Sequence, residues 1–231
     1  MTGNWKAVLF DLDGTLIDSE WFYYKAWRKA LKYYGFTLDS DLWLNDLAGK
    51  TDRQALEYLR SNHAFEVDGE ELFDRIRKLI AVQYETETVS LMPGVTDLIN
   101  FLRQRQVTMA VVTSSKREVA TYHLERNGLR QFFKVLVSRT DVQQPKPHPE
   151  PYLRCVAQLE LEPADCLVLE DSVTGATAAK AAGLTCFGVQ THAPIRQALP
   201  TDRSFDNLHE VREFLERTFA QLKDTEPLTD E

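Results

Sequence analysis

The sequence predicts an α/β protein, a parallel sheet with helices on both faces, interrupted after its first strand by a purely helical insertion. Residues 7–10 (Ala-Val-Leu-Phe) are an unbroken apolar run that ends in acids, the pattern of a strand buried on both sheet faces. From about residue 90 onward, short apolar runs alternate with amphipathic stretches, which is the sequence form of repeated strand–helix–strand units. Between 18 and 88 only helical spacing is present.

Taken in order, the first strand is followed by an insertion whose apolar residues recur at three- and four-residue intervals. Trp21, Tyr24, Trp27, Ala30, Leu31 and Tyr34 form one stripe, mainly core. Leu56, Tyr58 and Leu59 form a second, and Leu72, Ile76, Leu79, Ile80 and Tyr84 a third. The sheet pattern then resumes with helix 95–105 before strand 108–113, helix 116–127 before strand 135–138, and helix 149–159 before strand 166–170. Helix 173–182 precedes strand 185–189, and a closing helix covers 208–222. This divides the chain into a Rossmann-like core, 1–17 with 89–231, and a helical domain, 18–88. The connections near 15–18 and 87–93, the second containing Met92-Pro93-Gly94, are the expected hinges. The polar stretch 223–231 is expected to fray.

Composition narrows the function classes. At 231 residues with 43% hydrophobic content the chain can build substantial cores. A net charge of −8 argues against nucleic acid and anionic membrane as partners, since both select basic surfaces. Cys155, Cys166 and Cys186 have no metal-ligand spacing and are an odd number, so reduced core thiols are expected. No apolar stretch is long enough to span a bilayer and no signal-peptide pattern opens the chain, so a soluble, cytoplasmic location is expected.

Ligands of open parallel sheets bind beyond the carboxyl ends of the strands. The polar residues that follow each strand therefore matter most. Asp11 and Asp13 follow the first strand; two apart on extended chain, they point the same way, and Gly14 allows a sharp turn after them. Thr113, Ser114 and Ser115 follow the second, and Ser115 to Glu118 read as a capping box that opens the next helix. Lys146 lies between two prolines after the third, and Glu170 and Asp171 follow the fourth. Acidic, hydroxyl and cationic groups thus converge on one edge. Paired acids there repel unless a cation, a shared proton or a phosphate-binding role explains them. His148, near Lys146, reads as a surface residue of that loop.

This set resembles the haloacid dehalogenase superfamily of phosphotransferases, whose four motifs correspond here to Asp11-Leu12-Asp13-Gly14-Thr15, Thr113, Lys146 and Glu170-Asp171. The helical insertion resembles the family's cap, as in the branch of β-phosphoglucomutase and the phosphosugar phosphatases. The resemblance implies that Asp11 is a nucleophile that becomes phosphorylated, and that Asp13 protonates the leaving alkoxide and then activates water. It implies Mg²⁺ held by Asp11, the backbone carbonyl of Asp13, and Asp171, with Glu170 as a direct or supporting ligand. Thr113, Ser114 and the N–H groups of 113–115 would hold phosphoryl oxygens at a helix N-terminus, and Lys146 would neutralise both nucleophile and phosphate. Ser19, Tyr23 and Lys50, the last in the turn Gly49-Lys50-Thr51-Asp52, would face substrate from the cap. Asp13 is the residue that the dehalogenase and phosphonate-hydrolase branches lack, so phosphate esters are favoured. Tyr23 stands where the mutases carry a histidine, so net hydrolysis is favoured over phosphoryl return to sugar. The expected partner is a small phosphorylated metabolite, acted on by a monomer.

Overall fold

The computed structural model describes residues 3, 5–48, 50–190 and 193–223. Six parallel strands form one sheet in the order β3-β2-β1-β4-β5-β6. They are β1 Ala7–Phe10, β2 Thr108–Val112, β3 Val135–Val137, β4 Cys166–Glu170, β5 Thr185–Val189 and β6 Arg203–Phe205. The register pairs Phe10 with Val111 on one side and with Leu169 on the other, so β1, β2 and β4 end level with one another. The strand order reverses at β1, the switch point where such sheets form a crevice.

Helices α1 Ser19–Tyr33, α2 Ser40–Leu42, α3 Asp52–His63 and α4 Gly69–Thr86 belong to the inserted segment. After it come α5 Val95–Gln104, α6 Arg117–Arg126, α7 Glu150–Leu159, α8 Val173–Ala181, α9 Ala193–Ala198 and α10 Leu208–Lys223. The chain divides into two compact units, 1–17 with 90–231, and 18–89. In the sheet unit, alternate strand residues (Leu9, Val112, Val137, Val168, Cys186) meet Tyr152, Val156, Ala176 and Ala179 of α7 and α8 in one core. On the opposite face Phe187 packs edge-on to Phe214 of α10 and to Trp5. The helical unit has its own core of Trp27, Leu31, Trp43, Leu47, Leu56, Leu59, Leu72 and Ile76.

Several features differ from expectation. Strand β6 and helix α9 lie in a stretch with no apolar run: β6 reads Arg-Ser-Phe, is largely exposed, and extends the sheet at its edge beside β5. Trp43–Leu47 forms a π-helical turn directly after α2. The first aromatic stripe is mainly core, as expected, with Tyr24, Trp27, Ala30 and Leu31 buried, while Trp21 is exposed and stacks on Tyr24 at 4.6 Å. Lys116, not Ser115, is the N-cap of α6, and it makes no side-chain cap hydrogen bond. The expected capping box is absent because α6 begins at Arg117, one residue later than that pattern requires. The three cysteines are buried and free, as their number suggested. Gly49 and residues 224–231 lie outside the described residues. Among the described residues no helix is long and apolar enough to cross a membrane.

Candidate active site

The chain turns immediately after β1. Leu16 and Ile17 donate their N–H groups to the Leu12 carbonyl at 2.9 and 3.0 Å, and the Gly14 N–H donates to the Ile17 carbonyl at 2.8 Å. Gly14 has φ of +83°, and a Cβ there would overlap the Asp171 carboxylate. The turn therefore requires glycine twice, for its backbone and for the approach of an acid from β4.

Asp11 is buried at the end of β1, where its N–H donates to the Leu169 carbonyl at 3.0 Å. Lys146 is buried beside it. The ammonium donates to Asp11 Oδ1 at 2.7 Å, to Glu170 Oε1 at 2.6 Å and to the Val112 carbonyl at 2.8 Å. Its three donors are thus divided among the ends of β1, β2 and β4. Burial works against the charge of Lys146, and the carboxylates of Asp11 and Glu170 outweigh it, so the pKa is raised. Asp11 is pushed up to about 8, chiefly by burial and further by the charges of Glu170 and Asp13, against the pull of Lys146. Asp171 is raised well above the carboxylate range by burial and by the charges of Asp11 and Glu170.

Glu170 is saturated. Oε1 accepts from Lys146 and from the Tyr152 hydroxyl at 2.9 Å; Oε2 accepts from the N–H of Asp171, the N–H of Ser172 and the Ser172 hydroxyl, at 3.2, 3.2 and 3.0 Å. Of the two roles open to it, direct ligand or support, this engagement favours support. Ser172 then caps α8 by accepting from the Gly175 N–H at 3.0 Å.

Oxygens of Asp11, Glu170 and Asp171 lie within 4.8 Å of one another. Three carboxylates share one ammonium, and two of them are driven toward protonation by burial in like-charged company. A set of hard oxygens with surplus negative charge fits a hard divalent cation.

The loop after β2 differs in part from expectation. Thr113 is buried and Ser114 exposed. The Thr113 N–H donates to the Val137 carbonyl at 2.9 Å, and the Ser115 N–H to Thr113 Oγ1 at 3.0 Å. Two of the three backbone donors expected to hold phosphate are therefore engaged internally, because residues 113–115 precede α6 rather than begin it. Ser115 Oγ donates to Asp13 Oδ2 at 2.6 Å, a contact that links segments far apart in sequence. His148 is exposed and accepts the Glu150 N–H at Nδ1, 3.2 Å away, as a loop residue should.

Ser19, Tyr23 and Lys50 belong to the helical unit. Ser19 is buried as the first residue of α1; Tyr23 is half-buried, with its ring edge-on to Phe22; and Lys50 is exposed, with its ammonium 5.7 Å from the Tyr58 ring centroid. Sequence reasoning passed over Tyr152 and the buried His123 of α6, whose pKa burial lowers against the charge of Asp13, and it read Ser115 only as a capping residue and backbone donor. Tyr152 has no motif to mark it, and the partner of the Ser115 hydroxyl is brought near only by the fold.

Comparison with known proteins identifies the family. Residues 8–189 match the model of the haloacid dehalogenase-like hydrolase family. The chain is 33% identical over 209 residues to validoxylamine A 7'-phosphate phosphatase of Streptomyces hygroscopicus subsp. limoneus, covering 90% of this chain and 96% of that protein. It is 31% identical over 182 residues to a phosphorylated carbohydrates phosphatase of Thermotoga maritima, covering 78% and 82%. A crystal structure of a HAD family hydrolase from Deinococcus radiodurans R1, with bound phosphate and sodium, superposes with a TM-score of 0.82 at 27% identity over 94% of this chain and 97% of that one. With its family model spanning residues 8–189, most of the chain, the protein belongs to the haloacid dehalogenase-like hydrolases.

Proposed function

We propose that this phosphatase is Mg²⁺-dependent and hydrolyses a small phosphorylated metabolite, a sugar phosphate, through a covalent phosphoryl–enzyme intermediate on Asp11. One observation carries the reading. Asp11 sits at the switch point of the sheet with a buried ammonium at 2.7 Å on one oxygen and a second acid cluster from β4 beside it. That is where a nucleophile meeting a phosphoryl group needs its charge balanced.

In the first step an Asp11 carboxylate oxygen bonds to phosphorus as the ester P–O bond breaks, and Asp13 gives its proton to the departing alkoxide. In the second, water attacks the phosphorus of the acyl phosphate, Asp13 takes the water's proton, and Asp11 is released with inorganic phosphate. Lys146 holds Asp11 in place and balances charge on nucleophile and phosphate, while the Thr113 and Ser114 side chains serve as phosphate contacts. Asp11, Asp171 and the Asp13 backbone carbonyl would hold the magnesium ion, with Glu170 supporting from behind. Bound there, it would neutralise the acid cluster and the transferring phosphoryl oxygens.

Substrate choice is assigned to Ser19, Tyr23 and Lys50 of the helical unit. The named activities of the two relatives, one on phosphorylated carbohydrates, favour a sugar phosphate, and Tyr23 in place of a histidine favours hydrolysis over mutase chemistry. We assign the protein to the cytoplasm as a monomer. A panel of phosphorylated metabolites assayed with Mg²⁺ should show phosphate release, and Asp11→Asn should abolish it. Isomer formation without free phosphate would establish the mutase instead, and full turnover by Asp11→Asn would remove the nucleophile assignment.

A further inference from the structure

Asp13 is half-buried and does not stand alone. The Ser115 hydroxyl donates to its Oδ2 at 2.6 Å, across 102 residues of sequence. Ser115 is itself fixed from two sides: its N–H donates to Thr113 Oγ1 at 3.0 Å, and its carbonyl accepts from the Arg139 N–H at 3.0 Å. Two residues on, Arg117 grips Asp141 through Nε at 3.2 Å and Nη2 at 2.6 Å, and it also donates to the Leu136 carbonyl at 2.8 Å. The segment that carries Ser115 is therefore tied to the loop after β3. Thr15, two residues from Asp13, does not share the task, because its buried hydroxyl has no hydrogen-bond partner among the described residues.

We propose that Ser115 is the positioning residue for proton transfer. Its hydroxyl fixes Asp13 through Oδ2 and leaves Oδ1 to pass a proton to the ester oxygen and later to take one from water. This rests on the reading of Asp13 as general acid and base. A carboxyl group otherwise rotates about its Cβ–Cγ bond and presents either oxygen. One short hydrogen bond from an immobile donor removes that freedom, and placement within a fraction of an ångström governs proton transfer. A hydroxyl keeps that geometry throughout the cycle, since Oδ2 accepts from it whether or not Oδ1 carries a proton.

The test reads the first step alone, as phenol release in a single turnover, on ring-substituted phenyl phosphates from p-nitro to p-methoxy. Leaving groups already stable as anions need no acid; basic ones do. Ser115→Ala should slow the basic end by ~10–10²-fold and the p-nitro ester by less than ~3-fold, with KM unchanged, and Ser115→Thr should recover most of the loss. Ser115→Cys, close in shape and a weak donor, carries the same comparison should the alanine variant fail to fold. An equal loss along the whole series would make Ser115 a prop of the phosphate loop and overturn the proposal, as would unchanged rates. Asp13→Asn run beside it separates the two ideas. Leaving-group dependence in Asp13→Asn without any in Ser115→Ala sinks only the role of Ser115. No dependence in Asp13→Asn removes the acid itself.

Discussion

Lys146 is buried to 3% side-chain exposure and survives there as a cation because two carboxylates meet it. Removing it would leave Asp11 and Glu170 facing each other without compensation, and breaking a buried pair from one side usually costs about 3–5 kcal/mol. Asp11→Asn is a different kind of change. It keeps the shape, leaves Lys146 with Glu170, and takes one negative charge from a cluster that has too many. The two variants should therefore separate activity from stability. Both lose turnover, Lys146→Met by at least about 10²–10³-fold. In urea unfolding of the metal-free protein, only Lys146→Met should show a large fall in stability, with Asp11→Asn within about 1 kcal/mol of the parent. A large loss in Asp11→Asn would mean that Asp11 is a structural partner of Lys146 first and a nucleophile second.

At the scale of elements, the site is made where loops leave the sheet, and α8 shows how closely those elements approach. Gly175 stands in the first turn of α8 directly against Glu170, and a Cβ there would overlap both carboxylate oxygens. Glu170 cannot move aside, because five hydrogen bonds hold it. Gly175→Ala should thus lose about 1–3 kcal/mol of stability despite alanine's better helix propensity, along with most activity, as Glu170 and Lys146 are displaced. A gain in stability would show that α8 yields instead. The same view explains what the sequence made legible. Asp11, Asp13, Glu170 and Asp171 were readable because buried parallel strands are short apolar runs that end abruptly, so the first polar residues after them mark the sheet's carboxyl edge. Strand β6 was not, since Arg203-Ser204-Phe205 is exposed at the sheet's edge and has no apolar run to announce it. The Ser115 capping box was misread because the helix starts one residue later than the local pattern suggests, and the partner of the Ser115 hydroxyl, Asp13, lies 102 residues away in sequence. Tyr152 lies in an ordinary amphipathic helix, and only the fold brings its hydroxyl to Glu170. Apolar period and strand-end position are local properties of a chain; pairing across a sheet edge is not.

For the molecule as a whole, the acid cluster ties folding stability to pH, and the proposed metal site would tie it to divalent cations as well. Asp11 has its pKa raised in the folded state, from 3.8 to about 8. Between those values the unfolded chain releases a proton that the folded protein keeps, so the unfolded state binds fewer protons and stability falls as pH rises. Asp171 is shifted the same way and adds to the slope. This runs against the common case of salt-bridged carboxylates, which lose stability on acidification. On the proposed reading a divalent cation would bind the ionised cluster and compete with the protons, so its benefit should grow over the range in which the metal-free protein weakens. With Mg²⁺ at about 100 times its Kd, the melting temperature should rise by about 5–10 °C. The increment should be small near pH 5 and largest near pH 8. Asp171→Asn should shrink the increment and flatten the pH slope of the metal-free protein together, since both properties come from the same surplus carboxylate. An Mg²⁺ increment independent of pH, or one untouched by Asp171→Asn, would place the cation somewhere other than at the ends of β1 and β4.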